Sequence, residues 1–167
     1  MRRVLAALFL LAPLFAFAEI KQPKPGFRDL KWGDPPPDTM KLTDKTDITA
    51  TYTRPDDKMS IGAVPLESIT YRYYRSQLLS VSIVAPREHF RDLLTTLTVQ
   101  WGDPKRDNQF LDEYRWTSTD ADLGLTIAGL EKPPVSGPAT ILIFSVKVYD
   151  EQEAERKALA KEAKDDV

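Results

Sequence analysis

The sequence predicts an α+β domain: a mostly antiparallel sheet of five to seven strands, one packed amphipathic helix and a charged C-terminal helix. Two runs of alternating apolar and polar residues, 69–74 and 79–83, surround a short polar turn and predict a β-hairpin. Apolar side chains recur at helical spacing between residues 90 and 101. A third alternating run, 140–149, predicts a further strand.

The N-terminus has the three parts of a secretory signal peptide. Arg2 and Arg3 precede an uncharged apolar stretch from Val4 to Phe15, and Ala16-Phe17-Ala18 then gives the small-x-small pattern that signal peptidase accepts. The apolar stretch is shorter than the roughly 20 residues that a membrane-spanning helix needs. We therefore expect cleavage after Ala18 and a periplasmic or secreted protein.

Composition narrows the class of protein further. The chain has no cysteine, which excludes disulfides, thiolate metal sites and a lipid anchor on a cysteine at the cleavage site. Without Arg2 and Arg3, the remaining 149 residues (167 − 18) carry 21 Lys+Arg against 25 Asp+Glu, a net charge of −4. This mildly acidic, mixed balance disfavours nucleic acid as a partner, and no later segment has the length of a membrane anchor.

The sequence divides into a signal peptide at 1–18, a single α+β domain at 19–149 and a charged helical tail at 150–167. In the first part of the domain, residues 27–33 form a short element whose large apolar side chains reach the core, and the proline-rich run 34–38 ends it. The next apolar elements are a strand at 48–53, a turn at 54–58 and a short returning strand at 59–64, followed by the hairpin.

The clearest helix runs from about Arg87 to Trp101. Pro86 opens it, and Gly102 and Pro104 end it. Its apolar stripe should lie across the sheet and consists of Phe90, Leu93, Leu94, Leu97 and Trp101.

Three more strands follow the helix, at 111–117, 122–128 and 140–149, with a loop at 129–138. In the last strand, alternation places Leu142, Phe144, Val146 and Val148 on one face, and the isoleucines 141 and 143 indicate that its first half is covered on both faces. The tail is rich in alanine and charge, with a Glu153–Lys157 pair at helical spacing, and predicts a solvent-exposed helix.

The sequence indicates no catalytic residue, no metal site and no cofactor. His89 is the single histidine and has no neighbouring nucleophile or second ligand. Residues 120–124 resemble the start of a calcium loop, but the sixth position is Leu125 where the loop needs glycine, so a tight turn is the better interpretation. The acidic pairs Asp56-Asp57 and Asp112-Glu113 leave open a hydrolase with two convergent carboxylates.

Aromatic and basic residues alternate between positions 71 and 75. Alternation puts Tyr71 and Tyr73 on the buried face of the hairpin and leaves Arg72 and Tyr74 outside. We therefore take Arg72, Tyr74 and Arg75 as candidate binding residues.

Three stretches resemble the pattern of a group of small exported bacterial proteins of unknown function. They are Phe27-x-x-Leu30-x-Trp32-Gly33, Met59-Ser60-Ile61-Gly62 with Leu66-Glu67-Ser68-Ile69-x-Tyr71, and Leu79-x-Val81-x-Ile83. The resemblance implies bacterial export and a compact α+β domain, and it brings no active site. The leading hypothesis is a non-enzymatic periplasmic binding protein for an unknown protein or small envelope ligand, and the alternative is a small envelope hydrolase.

Overall fold

The computed structural model describes residues 22–106 and 108–165, with side chains described up to residue 162. The signal peptide expected at 1–18 lies outside these residues. The elements, in chain order, are β1 (Gly26–Phe27), β2 (Leu30–Lys31), β3 (Lys41–Lys45), β4 (Thr49–Thr53), β5 (Ser60–Ile61), β6 (Val64–Pro65), β7 (Ser68–Tyr74), β8 (Gln77–Ala85), a 3₁₀ turn (Arg87–His89), α1 (Phe90–Trp101), β9 (Asp112–Asp120), β10 (Gly124–Lys132), β11 (Ala139–Ser145) and α2 (Val146–Asp165).

Seven of the strands form one antiparallel sheet in the order β3-β4-β7-β8-β11-β10-β9. Strands β1–β2 and β5–β6 form two small ladders outside it. The prediction of an α+β domain with a mostly antiparallel sheet, one packed helix and a C-terminal helix is confirmed. The first half of the sheet (β3, β4, β7 and β8) and the second half (β9 to β11) meet where β8 pairs with β11.

The β7–β8 hairpin closes through a two-residue turn. Arg75 and Ser76 both have positive φ angles, 47° and 65°, as a turn that matches the twist of the flanking strands requires. The register shifts by one residue between Arg72 and Tyr73, which leaves Leu79 as the extra residue of a β-bulge. The turn end of the hairpin therefore has large apolar side chains on both faces.

The main core lies on one face of the sheet. The helix α1 contributes Phe90, Leu93 and Leu97 to this core, and the N-terminal segment contributes Trp32. The indole Nε1 of Trp32 donates to Thr126 Oγ1 on β10 at 2.7 Å, which satisfies both buried polar groups. The predicted stripe of α1 is thus confirmed, with Leu94 and Trp101 at its half-buried margin.

The C-terminal helix begins earlier than the sequence indicates. Ser145 Oγ accepts a hydrogen bond from the backbone N–H of Val148 at 3.3 Å, so Ser145 caps a helix at the point where a strand to residue 149 was expected. Val148 is buried in this helix, and Gln152 is also buried, so the expectation of an exposed tail from residue 150 is wrong at Gln152. From Arg156 to Glu162 the helix is exposed, as expected.

Candidate binding groove on the open sheet face

Two of the three candidate binding residues hold α2 against the sheet. The Tyr74 hydroxyl donates to Glu155 Oε2 at 2.6 Å, and Arg75 Nε donates to the same oxygen at 3.2 Å. Alternation places Tyr74 on the face opposite Tyr71, as predicted, but α2 covers that position and leaves Tyr74 only 7% exposed. The expectation that Tyr74 lies at the surface is therefore wrong. Arg72 is exposed, and its contact with a ligand stays a prediction.

The electrostatics of this contact favour an ionised Glu155. Hydrogen bonds from Arg75 and Tyr74 lower the pKa of the Glu155 carboxyl. The same hydrogen bond to Glu155, together with burial, raises the pKa of the Tyr74 hydroxyl. The three groups therefore form a contact that docks α2 against the end of β7.

The two acidic pairs do not converge. The Asp57 side chain is 3% exposed; it accepts a hydrogen bond from the Tyr71 hydroxyl at 2.7 Å and forms an ion pair with Arg28. Its neighbour Asp56 instead contacts Arg54, with 3.2 Å between Nε and Oδ1. This network fixes the N-terminal segment against β7 and uses Asp57 as a structural anion.

The second acidic pair lies on β9, where successive side chains point to opposite faces. Asp112 lies 2.7 Å from Lys132 Nζ, and the hydrogen bond from Lys132 lowers the pKa of the Asp112 carboxyl. Glu113 points to the other face of the sheet. Among the described residues, every carboxyl with a displaced pKa has a lowered one, whereas a general acid needs a raised pKa. The geometry gives the hydrolase alternative no support.

The remaining polar candidates have ordinary structural contacts. His89 Nδ1 lies 3.3 Å from Asp92 Oδ2 in a partly exposed pair. Asp120 Oδ1 accepts hydrogen bonds from the N–H groups of Asp122 and Leu123, both at 2.9 Å, so the prediction of a tight turn is confirmed. Within residues 22–106 and 108–165, no group of three or more acidic or histidine side chains is placed to hold a metal ion.

A groove of about 360 Å³ lies on the sheet face opposite α1, over β9, β10 and β11. Gly129 forms its floor, and Ile127, Leu142 and Phe144 are its apolar wall. Leu142 is 43% exposed, which is high for a leucine in a central strand. Ile141 and Ile143 are buried on the opposite face, so the expectation that the first half of this strand is covered on both faces is wrong at Leu142.

The groove follows the strand register in three rows. Gly129 pairs with Leu142 on one side and Arg115 on the other. The next row toward α2 pairs Ile127 with Phe144, whose ring lies 5.9 Å from that of Tyr149 on α2. The β10 and β11 side of the groove is therefore apolar along two rows, Arg115 on β9 lies beside the first of them, and the groove ends against the first turns of α2.

The third row, at the other end, is acidic. Glu131 on β10 pairs directly with Glu113 on β9, and both side chains are exposed on the groove face. Like charges directly opposite each other on neighbouring strands repel. The groove thus combines an apolar centre with a negatively charged entrance, an arrangement suited to holding a ligand by shape and charge.

Gly129 makes this concavity possible. Its backbone does not have a positive φ angle, and a Cβ at this position would meet nothing closer than the carbonyl oxygen of Tyr114 at 4.0 Å. A larger residue would fit, and it would fill the groove. Glycine inside a strand often marks a place where another molecule approaches the backbone closely.

A second recess, of about 270 Å³, lies between the start of α1 and the facing ends of β9 and β10. It holds Arg91, Arg106 and Lys132 around Asp112. Lys132 and Arg106 both contact Asp112, at 2.7 and 3.8 Å, so one carboxylate is shared by two cations and the recess keeps an excess of positive charge. We regard the groove over Gly129 as the better candidate site.

Comparisons of the chain with protein-family models, with curated proteins and with solved structures found no match. No helix among the described residues is long and apolar enough to cross a bilayer. The groove could have been suspected from sequence at Gly129, a glycine that interrupts an apolar run. The sequence analysis missed it because it assigned residues 129–138 to a loop and ended the predicted strand at residue 128, whereas β10 continues to Lys132.

Proposed function

We propose that this protein is an exported, non-enzymatic binding protein whose ligand occupies the groove over Gly129. The observation that carries the proposal is the groove itself: an apolar, partly exposed concavity in the middle of a regular sheet, where ordinary packing would bury Leu142 or replace it by a polar residue. Contiguous exposed apolar surface with a polar rim is a feature of ligand-binding grooves and of interaction sites.

Export is supported by the N-terminal pattern of Arg2, Arg3, an apolar stretch and Ala16-x-Ala18. The test is the intact mass of the protein recovered from the periplasm of an expressing bacterium. It should begin at Glu19. A mass that includes Met1 would contradict export with cleavage.

Binding is tested by site-specific photo-crosslinking in intact cells. A photoreactive amino acid at Thr117, which is exposed beside Ile127, should give a discrete adduct, and the same amino acid at Val99 on the outer face of α1 should not. Gly129→Val should abolish the Thr117 adduct because it fills the groove. Thr51→Val, on the same face but outside the groove, is the matched control and should keep it. An adduct that survives Gly129→Val unchanged would reject the groove as the site.

A further inference from the structure

Three cations that are far apart in the chain meet in the recess between the start of α1 and the facing ends of β9 and β10. Arg91 comes from α1, Arg106 from the segment that follows it, and Lys132 from the end of β10. Among the described residues, Asp112 supplies the carboxylate of this recess, and it contacts both Lys132 and Arg106. The recess therefore has a net positive charge, on the sheet face opposite the groove over Gly129.

Two of these cations are held in place by the protein itself. The Lys132 ammonium lies 4.9 Å from the centre of the Phe90 ring. The Arg106 guanidinium lies 5.4 Å from the centre of the Tyr114 ring, and its Nη2 donates to the carbonyl oxygen of Leu111 at 3.0 Å. Side chains that are already ordered lose little conformational entropy when a ligand binds. Both charges are therefore positioned in advance for an anion.

Arg91 supplies the hydrogen-bond donors that are still unused. It is exposed, and it has no hydrogen bond or ion pair with another described residue. Its charge nevertheless reaches Asp112: the hydrogen bond from Lys132, together with the charges of Lys132, Arg106 and Arg91, lowers the pKa of that carboxyl. The same positive field favours a second anion beside Asp112.

The positive region continues past Arg91 toward the 3₁₀ turn. An adjoining hollow of about 370 Å³ shares Arg91 and Lys132 with the recess and adds Arg87 and Glu88. Arg87 donates to the carbonyl oxygen of Pro133 at 2.6 Å, a neutral partner that leaves its charge uncompensated. Among the described residues, four cations and two carboxylates line the two hollows together.

The floor of the recess is apolar. It is formed by Phe90, Leu94 and Tyr114, and the rings of Phe90 and Tyr114 lie 6.0 Å apart. Charges beside apolar surface attract an anion more strongly than charges in open water do. The volume of about 270 Å³ lies just below the range of about 300–1,000 Å³ that is usual for sites of drug-sized ligands. These features fit a small ligand that has both a negative group and an apolar part.

We propose that this recess binds a small organic anion. Its carboxylate or phosphate group lies between Arg91, Arg106 and Lys132, and its apolar body, about the size of a single ring, lies on Phe90 and Leu94. Guanidinium groups bind carboxylates and phosphates through two parallel hydrogen bonds, which the unused donors of Arg91 provide. The site is separate from the groove over Gly129 and goes beyond the proposed function.

The test uses the exported protein and phenyl phosphate, with binding followed by the amide chemical shifts of ¹⁵N-labelled protein. We expect saturable shifts centred on residues 91, 94, 106 and 132. Inorganic phosphate carries the charge without the ring, and benzyl alcohol carries the ring without the charge, so both should bind several-fold more weakly. Absence of saturable shifts at these residues, or inorganic phosphate that binds as tightly as phenyl phosphate, would overturn the proposal.

Arg91→Gln should weaken binding of phenyl phosphate roughly 3- to 10-fold, as the loss of one partly exposed ion pair implies. The matched control is Arg72→Gln, which makes the same change in net charge at an exposed position on β7, outside the recess. An unchanged affinity in Arg91→Gln, or equal weakening in both variants, would reject the recess as the site. Cosedimentation of the wild-type protein with phosphatidylglycerol vesicles that is lost in Arg91→Gln would assign the recess to lipid headgroups and overturn a free ligand.

Discussion

The carboxylate of Glu155, on α2, lies 2.6 Å from the hydroxyl oxygen of Tyr74 at the end of β7. Arg75 in the hairpin turn forms an ion pair with the same carboxylate. One side chain of the last helix is thus bound by two consecutive residues from the middle of the chain. The contact lies where α2 covers Tyr74 and Leu79, which belong to the smaller of the two buried apolar clusters.

Two truncations of α2 should differ in their effect on stability, because only the first part of the helix is docked on the sheet. Ending the chain after Asp150 removes Gln152 and Glu155 and uncovers Tyr74, and we expect the free energy of unfolding to fall by about 1–3 kcal/mol. Ending it after Ala160 keeps Gln152 and Glu155 and should change stability by less than about 0.5 kcal/mol. Urea titration of both chains measures this. Equal stabilities would show that α2 does not stabilise the sheet.

Glu155 should make stability depend on acid pH. Its pKa is lowered in the folded protein, so the unfolded chain takes up a proton first as pH falls, and the stabilisation is lost below the ordinary carboxyl pKa of about 4. Glu155→Gln should therefore destabilise the protein at pH 7, and its deficit relative to wild type should shrink at pH 3. Glu162→Gln, at an exposed position, is the control. A deficit that is the same at both pH values would contradict this linkage.

Tyr73 should make stability depend on alkaline pH in the opposite sense. Burial raises the pKa of Tyr73 to about 12, whereas the unfolded value is about 10. The unfolded chain loses this proton first as pH rises, so stability falls above about pH 10. Tyr73→Phe removes this titrating hydroxyl, and the only hydrogen bond it loses among the described residues is the weak one from the Tyr73 hydroxyl to Met40 Sδ at 3.4 Å. The slope of unfolding free energy between pH 9 and 11 should be shallower in Tyr73→Phe than in Tyr149→Phe. Equal slopes would count against a buried phenol.

The stripe of α1 predicts graded losses on truncation to alanine. Leu97 is 1% exposed in the main core, and Leu97→Ala should cost about 2–5 kcal/mol. Leu94 is half-buried at the margin, and its loss should be smaller. Val99 is 62% exposed, and Val99→Ala should cost less than about 0.5 kcal/mol. The order Leu97, Leu94, Val99 in urea titration is the expected result, and a reversed order would mean that a different face of α1 is buried.

Gly129→Val should stabilise the protein as well as fill the groove. Glycine in a strand interior costs about 0.5–1 kcal/mol relative to alanine, and valine suits a strand. Because a Cβ here makes no close contact, we expect a gain of about that size in urea titration. Gly124→Val provides the contrast. Gly124 has a positive φ of 76°, which valine rarely adopts, so this substitution should lower the free energy of unfolding. A loss of stability in Gly129→Val would mean that the groove floor is not free to accept a side chain.

The hairpin and α1 are predictable from sequence because one periodicity dominates each of them. Strand β3 is not: Lys41–Lys45 is exposed throughout and polar, so no burial pattern marks it. It forms because β4 offers it an unpaired edge. Its two lysines and its register shift are typical of strands that discourage a further chain from pairing.

The face of β11 that lines the groove was not predictable, for a related reason. Residues 141–144 are all apolar, and an unbroken apolar run does not show which side of a strand faces the core. Packing of α1 and Trp32 on the opposite face decides it, since they select Ile141 and Ile143. The start of α2 was missed because Val146 and Val148 are β-branched and favour a strand, while the cap at Ser145 depends on a side-chain hydrogen bond.

The joining of two half-sheets at β8 and β11 has a kinetic consequence. Each half pairs segments that are near each other in the chain, whereas Ala85 pairs with Ala139 across an intervening stretch that holds α1, β9 and β10. Closing a loop of that size costs chain entropy before its contacts form, and such high contact order slows folding. We therefore expect the β8–β11 seam to set the folding rate, so that substitutions along it slow folding, whereas those at the β3 edge mainly speed unfolding.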